Sequence, residues 1–167
     1  MHSGGAAARR NMTPGGVIAT IHTRMAQPNS VSTPSAGTEL DIKSILLLDD
    51  DEQLSEALKA LLESHNFVVT VVHNGVEGVR EVMSMDFDVV ICDMMMPQMP
   101  GDMFYLAVQR TKPHLCSRFV FITGESGNPK VEEFIQRVNG LVLFKPVQID
   151  ELVRMISLAM KRGQASG

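Results

Sequence analysis

The order of apolar and polar positions along the chain alternates between two patterns. Short apolar runs rich in β-branched and aliphatic residues predict β-strands at residues 44–48, 68–72, 88–92, 118–122 and 141–144. After each run, apolar residues recur every three or four positions, which is the period of an amphipathic helix. The pattern therefore predicts five consecutive βα units.

Three of the predicted helices show a well-defined apolar face. In the first, Leu54, Ala57, Leu58, Leu61 and Leu62 fall at i, i+3, i+4, i+7 and i+8. The corresponding residues are Val131, Phe134, Ile135 and Val138 in the fourth helix, and Ile149, Leu152, Val153, Ile156, Ala159 and Met160 in the fifth. We expect each of these faces to lie against a sheet.

Strands one, three and four are apolar almost throughout, which is typical of strands buried on both faces. Such strands belong to a parallel sheet with helices on either side, so the predicted fold class is α/β. Right-handed crossovers leave few topologies, and the order 2-1-3-4-5 of a doubly wound, flavodoxin-like (βα)5 sheet suits five βα units. Ligands bind such sheets outside the carboxyl ends of the strands, where the strand order reverses.

Composition divides the chain of 167 residues near residue 40. Residues 1–38 contain no Asp or Glu, three Arg, and many Gly, Pro, Ser and Thr without a regular period. We therefore predict a disordered lead or linker over residues 1–40, one domain over residues 41–163 and a tail over residues 164–167. A targeting peptide is the alternative for the lead, although its glycines and prolines interrupt any amphipathic helix.

Charge and cysteine content narrow the function classes. The chain carries 15 basic and 19 acidic residues, a formal charge of −4, and lacks the basic excess of a nucleic-acid-binding protein. Its apolar runs are far shorter than the ~20 residues that span a bilayer. Cys92 and Cys116 fit neither a metal motif nor a disulfide framework. We expect a cytoplasmic protein without direct contacts to nucleic acid or membrane.

Polar residues follow four of the five predicted strands. They are Asp49-Asp50-Asp51 after strand one, Asp93 after strand three, Thr123-Gly124 after strand four and Lys145-Pro146 after strand five. Each has a structural explanation when taken alone; Asp51, for example, suits the N-terminal cap of the following helix. Taken together, they bring polar groups from four strands to one edge of the sheet, which predicts a functional site there.

The residue types at this edge indicate phosphoryl chemistry. Converging carboxylates of Asp49, Asp50 and Asp93 would repel one another by ~4 kcal/mol per pair at about 4 Å and an effective dielectric of about 20. Mg²⁺ prefers such hard oxygen ligands and would relieve the repulsion. Lys145 and Thr123 would add a positive charge and a hydroxyl that can hold phosphoryl oxygens. The set predicts a phosphoryl-accepting site with a carboxylate nucleophile.

Four motifs, in their order and spacing, resemble the response regulator receiver domains of two-component signalling. They are Ile45-Leu46-Leu47-Leu48-Asp49-Asp50, Asp93-Met94-Met95-Met96-Pro97 with Gly101, Phe121-Ile122-Thr123-Gly124 and Phe144-Lys145-Pro146. The resemblance covers roughly residues 43–161. It implies these roles: Asp93 as phosphoacceptor, Asp49, Asp50, Asp93 and the Met95 carbonyl as Mg²⁺ ligands, and Thr123 and Lys145 as phosphoryl-contacting residues.

The resemblance also implies partners and local features. The phosphodonor would be a histidine kinase or a histidine phosphotransfer protein, and an output partner would bind the face made by helix four, strand five and helix five. The Lys145-Pro146 bond is expected to be cis. Val142 departs from the family, because receivers usually carry a Tyr or Phe three residues before the lysine that reorients on activation. We expect Phe144 to lie in the core rather than to replace that ring.

A haloacid dehalogenase-like phosphatase is a competing function. Such enzymes use an Asp nucleophile after strand one with a second Asp two positions later, which Asp49 and Asp51 superficially match. Thr123 and Lys145 then resemble the later strand-end residues. This interpretation does not account for Asp93. Such enzymes also carry a further acidic pair at a strand end, and this sequence has no matching pair at a strand end.

Two non-enzymatic alternatives remain, and the route of output is open. The domain could be a binding module that signals by contact without phosphorylation, and the methionines around Met94, Met95 and Met96 could bind copper rather than fill space. Few residues follow the last predicted helix, so output needs a partner or further domains. The chain is then either a single-domain regulator or a receiver from a larger protein such as a hybrid sensor kinase.

Overall fold

The computed structural model describes residues 42–165. In chain order the elements are β1 (Lys43–Leu48), α1 (Glu52–Ser64), β2 (Phe67–Val72), α2 (Gly75–Ser84), β3 (Val89–Asp93), α3 (Gly101–Thr111), a 3-10 helix (Pro113–Arg118), β4 (Phe119–Thr123), α4 (Pro129–Val138), β5 (Leu141–Phe144) and α5 (Ile149–Ala165). The predicted linker at residues 1–40 lies outside the described residues. None of the described helices combines the length and apolarity needed to cross a membrane.

The five strands form one parallel sheet in the order β2-β1-β3-β4-β5, which confirms the predicted fold class and strand order. Leu48 at the end of β1 pairs with Cys92, and Asp93 pairs with Ile122. The strand order reverses between β1 and β3, so a cleft opens at the carboxyl ends of these two strands. The register puts the residue that follows β1 beside the last residue of β3.

Helices cover both faces of the sheet, and each face has its own core. On the side of α1 and α5 the strands contribute aliphatic residues: Ile45, Leu47, Val89, Ile91, Val120 and Ile122. On the side of α2, α3 and α4 the core contains an aromatic group: Phe104, Tyr105, Phe119, Phe121 and Phe134, with ring centroids 5.0 to 5.8 Å apart. Because both faces are buried, successive residues of the central strands are all apolar.

The structure corrects the ends of two predicted strands. Asp93 and Thr123 are the last residues of β3 and β4, not the first residues after them, because both still pair with a neighbouring strand. Phe144, which we expected in the core, is 48% exposed. Its strand, β5, is at the edge of the sheet, so no further strand lies beyond it to cover the ring.

The structure also corrects the predicted face of α1. Leu58 and Leu62 are buried as expected, but Ala57 is exposed and Leu61 is 44% exposed. The buried stripe is completed by Ser55. This helix packs over the edge strand β2, so only a narrow stripe meets the sheet while the rest of the apolar face reaches solvent. The faces predicted for α4 and α5 are buried or half-buried throughout.

Candidate functional site

Three aspartates meet where the strand order reverses. Asp49 and Asp50 follow β1, and Asp93 ends β3; one carboxylate oxygen from each lies within 4.8 Å of the others. Asp49 and Asp93 are only 1% and 4% exposed, whereas Asp50 is exposed to solvent. The cluster is therefore closed on the protein side and accessible from outside.

Lys145 brings a positive charge to the two buried carboxylates. Its Nζ lies 2.5 Å from Asp93 Oδ2 and 3.2 Å from Asp49 Oδ2. The Lys145-Pro146 bond is cis, which confirms the prediction. The backbone N–H of the lysine donates to the Thr123 carbonyl at 2.9 Å, which joins the ends of β4 and β5.

Backbone amides hold the other oxygen of each buried carboxylate. The Asp51 N–H donates to Asp49 Oδ1 and the Met95 N–H donates to Asp93 Oδ1, both at 2.9 Å. With each Oδ1 occupied by an amide, each Oδ2 is the atom that contacts Lys145. The buried acids are therefore held in one orientation by groups that are within two residues in the chain.

Thr123 is fully buried at the end of β4, and its hydroxyl group contacts the loop before α4. Its Oγ1 accepts a hydrogen bond from the Glu125 N–H at 3.1 Å. The Glu125 carboxylate in turn accepts a hydrogen bond from the side-chain amide of Asn128, the N-cap of α4. A Cβ at Gly124 would meet no atom within 4 Å, so the space beside Thr123 is open.

Burial and charge act in opposite directions on the pKa values of the site. Burial raises the pKa of Asp49, although the Asp51 amide and the charge of Lys145 oppose it. Burial alone would lower the pKa of Lys145. The hydrogen bond and charge of Asp93, together with the charge of Asp49, outweigh that effect and raise the pKa of the lysine. The carboxylates therefore favour the charged form of the lysine, while burial disfavours the charged form of Asp49.

Asp51 takes the structural role that its position suggested. Its Oδ1 accepts hydrogen bonds from the amides of Gln53 and Leu54, each at 3.0 Å, and so caps α1. This carboxylate is not a member of the acidic cluster. The phosphatase interpretation needs Asp49 and Asp51 in one site, and this arrangement speaks against it.

The methionines after Asp93 divide between the core and solvent. Met94 and Met96 are buried in the cluster between the sheet and α3, whereas Met95 is 49% exposed. This division is typical of packing residues. Gly101, which belongs to the same motif, lets α3 begin against β3, because a Cβ there would lie 2.5 Å from the Asp93 carbonyl oxygen.

His73, which directly follows β2, also supports the site and was not predicted from the sequence. Its Nδ1 lies 3.1 Å from the Asp49 carbonyl oxygen. Its backbone N–H donates to the Glu77 carboxylate, and Glu77 and Asn74 form reciprocal hydrogen bonds at the start of α2. A polar residue directly after β2, at the same edge of the sheet as the acidic residues, was the signal that could have identified it.

An apolar groove of about 140 Å³ lies between α4 and β5. The α4–β5 groove is lined by Val131, Glu132, Ile135, Gln136, Val142 and Phe144. Val142 and Phe144 are two residues apart on β5, so both side chains point to the α4 side of the sheet. Val142 is half-buried against the aromatic core, and Phe144 pairs with Thr123 across the strands.

Comparison with known proteins places the chain in a family. The model of the response regulator receiver domain matches residues 45–157. Transcriptional regulatory protein GlrR of Escherichia coli (strain K12) is 29% identical over 118 residues, which cover 71% of this chain and 26% of the relative. Transcriptional regulatory protein CpxR of the same organism is 30% identical over 131 residues, which cover 75% of this chain and 52% of the relative.

Solved structures share the fold. A response regulator receiver domain protein (CheY-like) from Methanospirillum hungatei JF-1 has a TM-score of 0.69 at 21% identity and covers 75% of this chain and 99% of its own. The signal receiver domain of a signal transduction histidine kinase from Syntrophus aciditrophicus has a TM-score of 0.64 at 24% identity, over 71% and 90%.

The curated relatives are longer than the matched region. This chain spans 26% of GlrR and about half of relatives such as CpxR. Several are named as transcriptional regulatory proteins, so our expectation that this chain makes no direct contact with nucleic acid stays a prediction. The family model matches more than half of the chain. The chain therefore belongs to the response regulator receiver domain family of two-component signalling.

Proposed function

We propose that this receiver accepts a phosphoryl group on Asp93. The observation that carries the proposal is the ion pair of 2.5 Å between Asp93 Oδ2 and Lys145 Nζ, beside two further carboxylates. A carboxylate is a competent nucleophile toward phosphorus, and an adjacent ammonium can offset the charge of phosphoryl oxygens during transfer. Asp93 is the member of the cluster that combines a central position at the strand reversal with the shortest contact to the lysine.

In the proposed step, the phosphoryl group moves from the donor to Asp93. An oxygen of Asp93 attacks the phosphorus of a phosphohistidine or of acetyl phosphate, and a P–O bond to Asp93 forms. The P–N bond to imidazole, or the P–O bond to acetate, breaks at the same centre, and the leaving group departs with the bonding electrons. Lys145 and the Thr123 hydroxyl would contact the oxygens of the transferred group.

The acidic cluster fits Mg²⁺. Three carboxylates with oxygens within 4.8 Å of one another offer the hard ligands that this ion prefers, and the exposed position of Asp50 leaves room for water and a phosphoryl oxygen. Asp49, Asp50 and Asp93 would hold the ion, with the Met95 carbonyl as a further ligand. When bound, Mg²⁺ supplies positive charge that offsets the transferring phosphoryl group.

We propose a histidine kinase or a histidine phosphotransfer protein as the phosphodonor. The domain would act as a signalling module that catalyses only its own phosphorylation and dephosphorylation. An output partner would bind the face formed by α4, β5 and α5, on which the α4–β5 groove opens. The larger protein to which such a receiver can belong, a hybrid kinase for example, would set the signal and the response.

Phosphorylation by a small donor tests the proposal. We expect the protein to gain one phosphate, seen by intact-mass measurement, when it is incubated with acetyl phosphate and Mg²⁺. The gain should disappear in Asp93→Asn and on removal of Mg²⁺ by a chelator. Asp150→Asn is the matched control, because Asp150 is exposed in the first turn of α5 and lies outside the cluster.

The same experiment separates the alternatives. Phosphate retained in Asp93→Asn but lost in Asp49→Asn, with the site of modification mapped to Asp49, would establish the phosphatase-type nucleophile instead. A protein that gains no phosphate from acetyl phosphate or from a phosphorylated histidine phosphotransfer domain would be a binding module that signals without phosphorylation.

A further inference from the structure

Large apolar side chains that reach solvent are concentrated around α2 and α3. Eleven such side chains occur among the described residues, and five of them lie on or directly after these two helices. They are Val76, 40% exposed, Met83, 58%, Met85, 44%, Met103, 54%, and Leu106, 40%. A single exposed apolar residue is ordinary, but a group on two packed helices indicates a binding surface.

On α2, the exposed residues share a stripe with one that packs inward. Val76, Val79 and Met83 are spaced i, i+3 and i+7, so they lie along one side of the helix. Val79 packs against the core cluster that contains Phe104 of α3. Val76 and Met83 therefore lie along the side of α2 that borders α3.

On α3, the exposed Met103 faces away from α4. The Tyr105 ring contacts Phe134 of α4 at 5.6 Å between centroids, which orients that side of α3 toward α4. Met103 is two residues from Tyr105, about 160° away around the helix, whereas Leu106 lies one turn after Asp102, nearer the α4 side. We call the strip formed by Val76, Met83 and Met103 the α2–α3 seam.

Two arginines flank the seam. Arg80 lies within one turn of both Val76 and Met83, and Arg110 lies two turns after Met103 on the same side of α3. Both arginines are exposed. They give this apolar strip positive edges in a domain whose residues are more acidic than basic.

The nearest acidic residues are directed elsewhere. The pKa of the Glu77 carboxyl is lowered mainly by hydrogen bonds from the His73 amide and the Asn74 side chain at the start of α2, and in smaller part by the charge of Arg80. Asp102, one residue before Met103, lines a cavity shared with Phe134 on the α4 side of α3. The seam itself therefore carries apolar and basic residues.

We propose that the α2–α3 seam binds an amphipathic helix of a partner protein that has acidic residues along both sides of its apolar stripe. Two parallel helices with apolar residues along their shared border form the shallow groove into which a third helix packs. Exposed methionines adapt their shape to such a partner. Arginine pairs with carboxylates through two parallel hydrogen bonds, so Arg80 and Arg110 select acidic flanks.

A second copy of this chain fits the seam less well. In a symmetric dimer the same patch meets itself, so each copy would bring Arg80 and Arg110 to the basic edges of the other. Like charges at a contact repel, and no acidic residue of the seam would relieve them. The charge pattern therefore favours a partner of opposite charge over self-association.

Titration with designed peptides tests the proposal. The probe is a synthetic peptide of about 15 residues with leucines at i, i+3, i+4 and i+7 and glutamates on both sides. We expect it to shift backbone amide resonances of α2 and α3 in the isotope-labelled protein.

The double variant Met83→Gln/Met103→Gln should weaken binding about tenfold, because glutamine keeps the shape but not the apolar contact. Leu61→Gln/Leu158→Gln, which changes two exposed apolar residues on α1 and α5, is the control.

Charge selectivity is the second readout. Arg80→Gln/Arg110→Gln should weaken binding of the acidic peptide about fivefold, and a peptide with lysines in place of the glutamates should bind the unmodified protein about tenfold more weakly than the acidic one. Equal binding of both peptides, shifts confined to the α4–β5 groove, or no binding at millimolar peptide would overturn the proposal. A dimer in solution that Met83→Gln/Met103→Gln dissociates would assign the seam to a second copy instead.

Discussion

The acidic site and the α4–β5 groove differ in whether the side chains needed for their functions are present. In the acidic site, Asp49, Asp93 and Lys145 are in direct contact, and the carboxylates are held by amides. In the groove, Val142 stands at the position of the family's aromatic ring, and an apolar space of about 140 Å³ remains beside it. Phe144 borders this space but is 48% exposed.

This difference separates two tasks of a signalling domain, accepting a phosphoryl group and transmitting that event. Accepting a phosphoryl group would require the polar residues at the strand ends, and among these Asp49, Asp93 and Lys145 are in direct contact. Transmitting that event requires a side chain with two stable positions, and Val142 has one χ angle and no ring to move. We therefore expect phosphorylation to be normal for this family while its readout depends on other parts of the chain, and five predictions examine that division.

Removing the charge of Lys145 should have the largest effect. Lys145→Met leaves the Asp49 and Asp93 carboxylates without their ammonium, so the rate of phosphorylation by acetyl phosphate should fall about 10²-fold. The rate is measured by intact mass over time. Lys130→Met, an exposed lysine at the start of α4, is the control, and Val142→Tyr should leave the rate unchanged. Similar rates in Lys145→Met and the unmodified protein would remove the lysine from the chemistry.

Mg²⁺ should stabilise the folded protein through the acidic cluster. At about one hundred times its dissociation constant, a ligand that binds only the folded state adds about 2.7 kcal/mol to the free energy of unfolding. Thermal unfolding with and without Mg²⁺ measures the effect, which Asp49→Asn should reduce strongly. Asp150→Asn should retain the full stabilisation.

Without Mg²⁺, Asp49→Asn should unfold at a higher temperature than the unmodified protein at neutral pH. Burial raises the pKa of Asp49 in the folded state, so folding must overcome a cost of keeping this carboxylate ionised. That cost is absent at pH values below the ordinary pKa of 3.8 and grows as the pH rises through the raised pKa, and the amide of asparagine removes it. A lower unfolding temperature would show that the contact with Lys145 outweighs the burial of the charge.

The lifetime of the phosphorylated state should depend on Met95. This exposed side chain, two residues after Asp93, offers no hydrogen bond to orient an attacking water. The Glu125 carboxylate is engaged by Asn128, which limits its ability to replace that function. Met95→Asn should speed dephosphorylation about fivefold, followed by the loss of phosphate mass with time. Met103→Asn is the control, and an unchanged rate in Met95→Asn would contradict the idea.

The smallest expected effect is in the readout itself. Beryllofluoride with Mg²⁺ should change amide hydrogen exchange most in residues 123–135, because Thr123 is tied to the loop through Glu125 and the loop leads into α4 and Phe134. Residue 142 should contribute little. Val142→Tyr should strengthen coupling to a partner only if that partner binds the face of α4, β5 and α5. Changes confined to β5 would refute this mechanism.

The sequence was a reliable guide to the regular parts of the fold. Apolar runs of strand length that alternate with segments of helical period specify five βα units, and right-handed crossovers leave few ways to order them. The polar residues of the site were predictable for the same reason, because parallel strands bring their carboxyl ends to one edge. Asp93 and Lys145 are 52 residues apart in the chain, yet both could be assigned to that edge.

Details that depend on which surfaces are covered could not be predicted. Spacing indicates that Leu61 belongs to an apolar face, but its exposure follows from the position of α1 over an edge strand. The exposure of Phe144 has the same origin in β5. The support of Asp49 by His73 depends on β1 pairing with β2, which brings together residues 24 apart in the chain.

What the sequence by itself determined is the arrangement of strands and helices and the set of residues at the carboxyl edge, since both follow from local periodicity and from where each strand ends. The tertiary structure decided the contacts and the exposure: that Lys145 touches two carboxylates, that Asp51 turns to cap α1, and that apolar side chains of α2 and α3 are left exposed. The physical reason is that the environment of a side chain is set by neighbours distant in the chain, and packing alone brings those neighbours within contact distance.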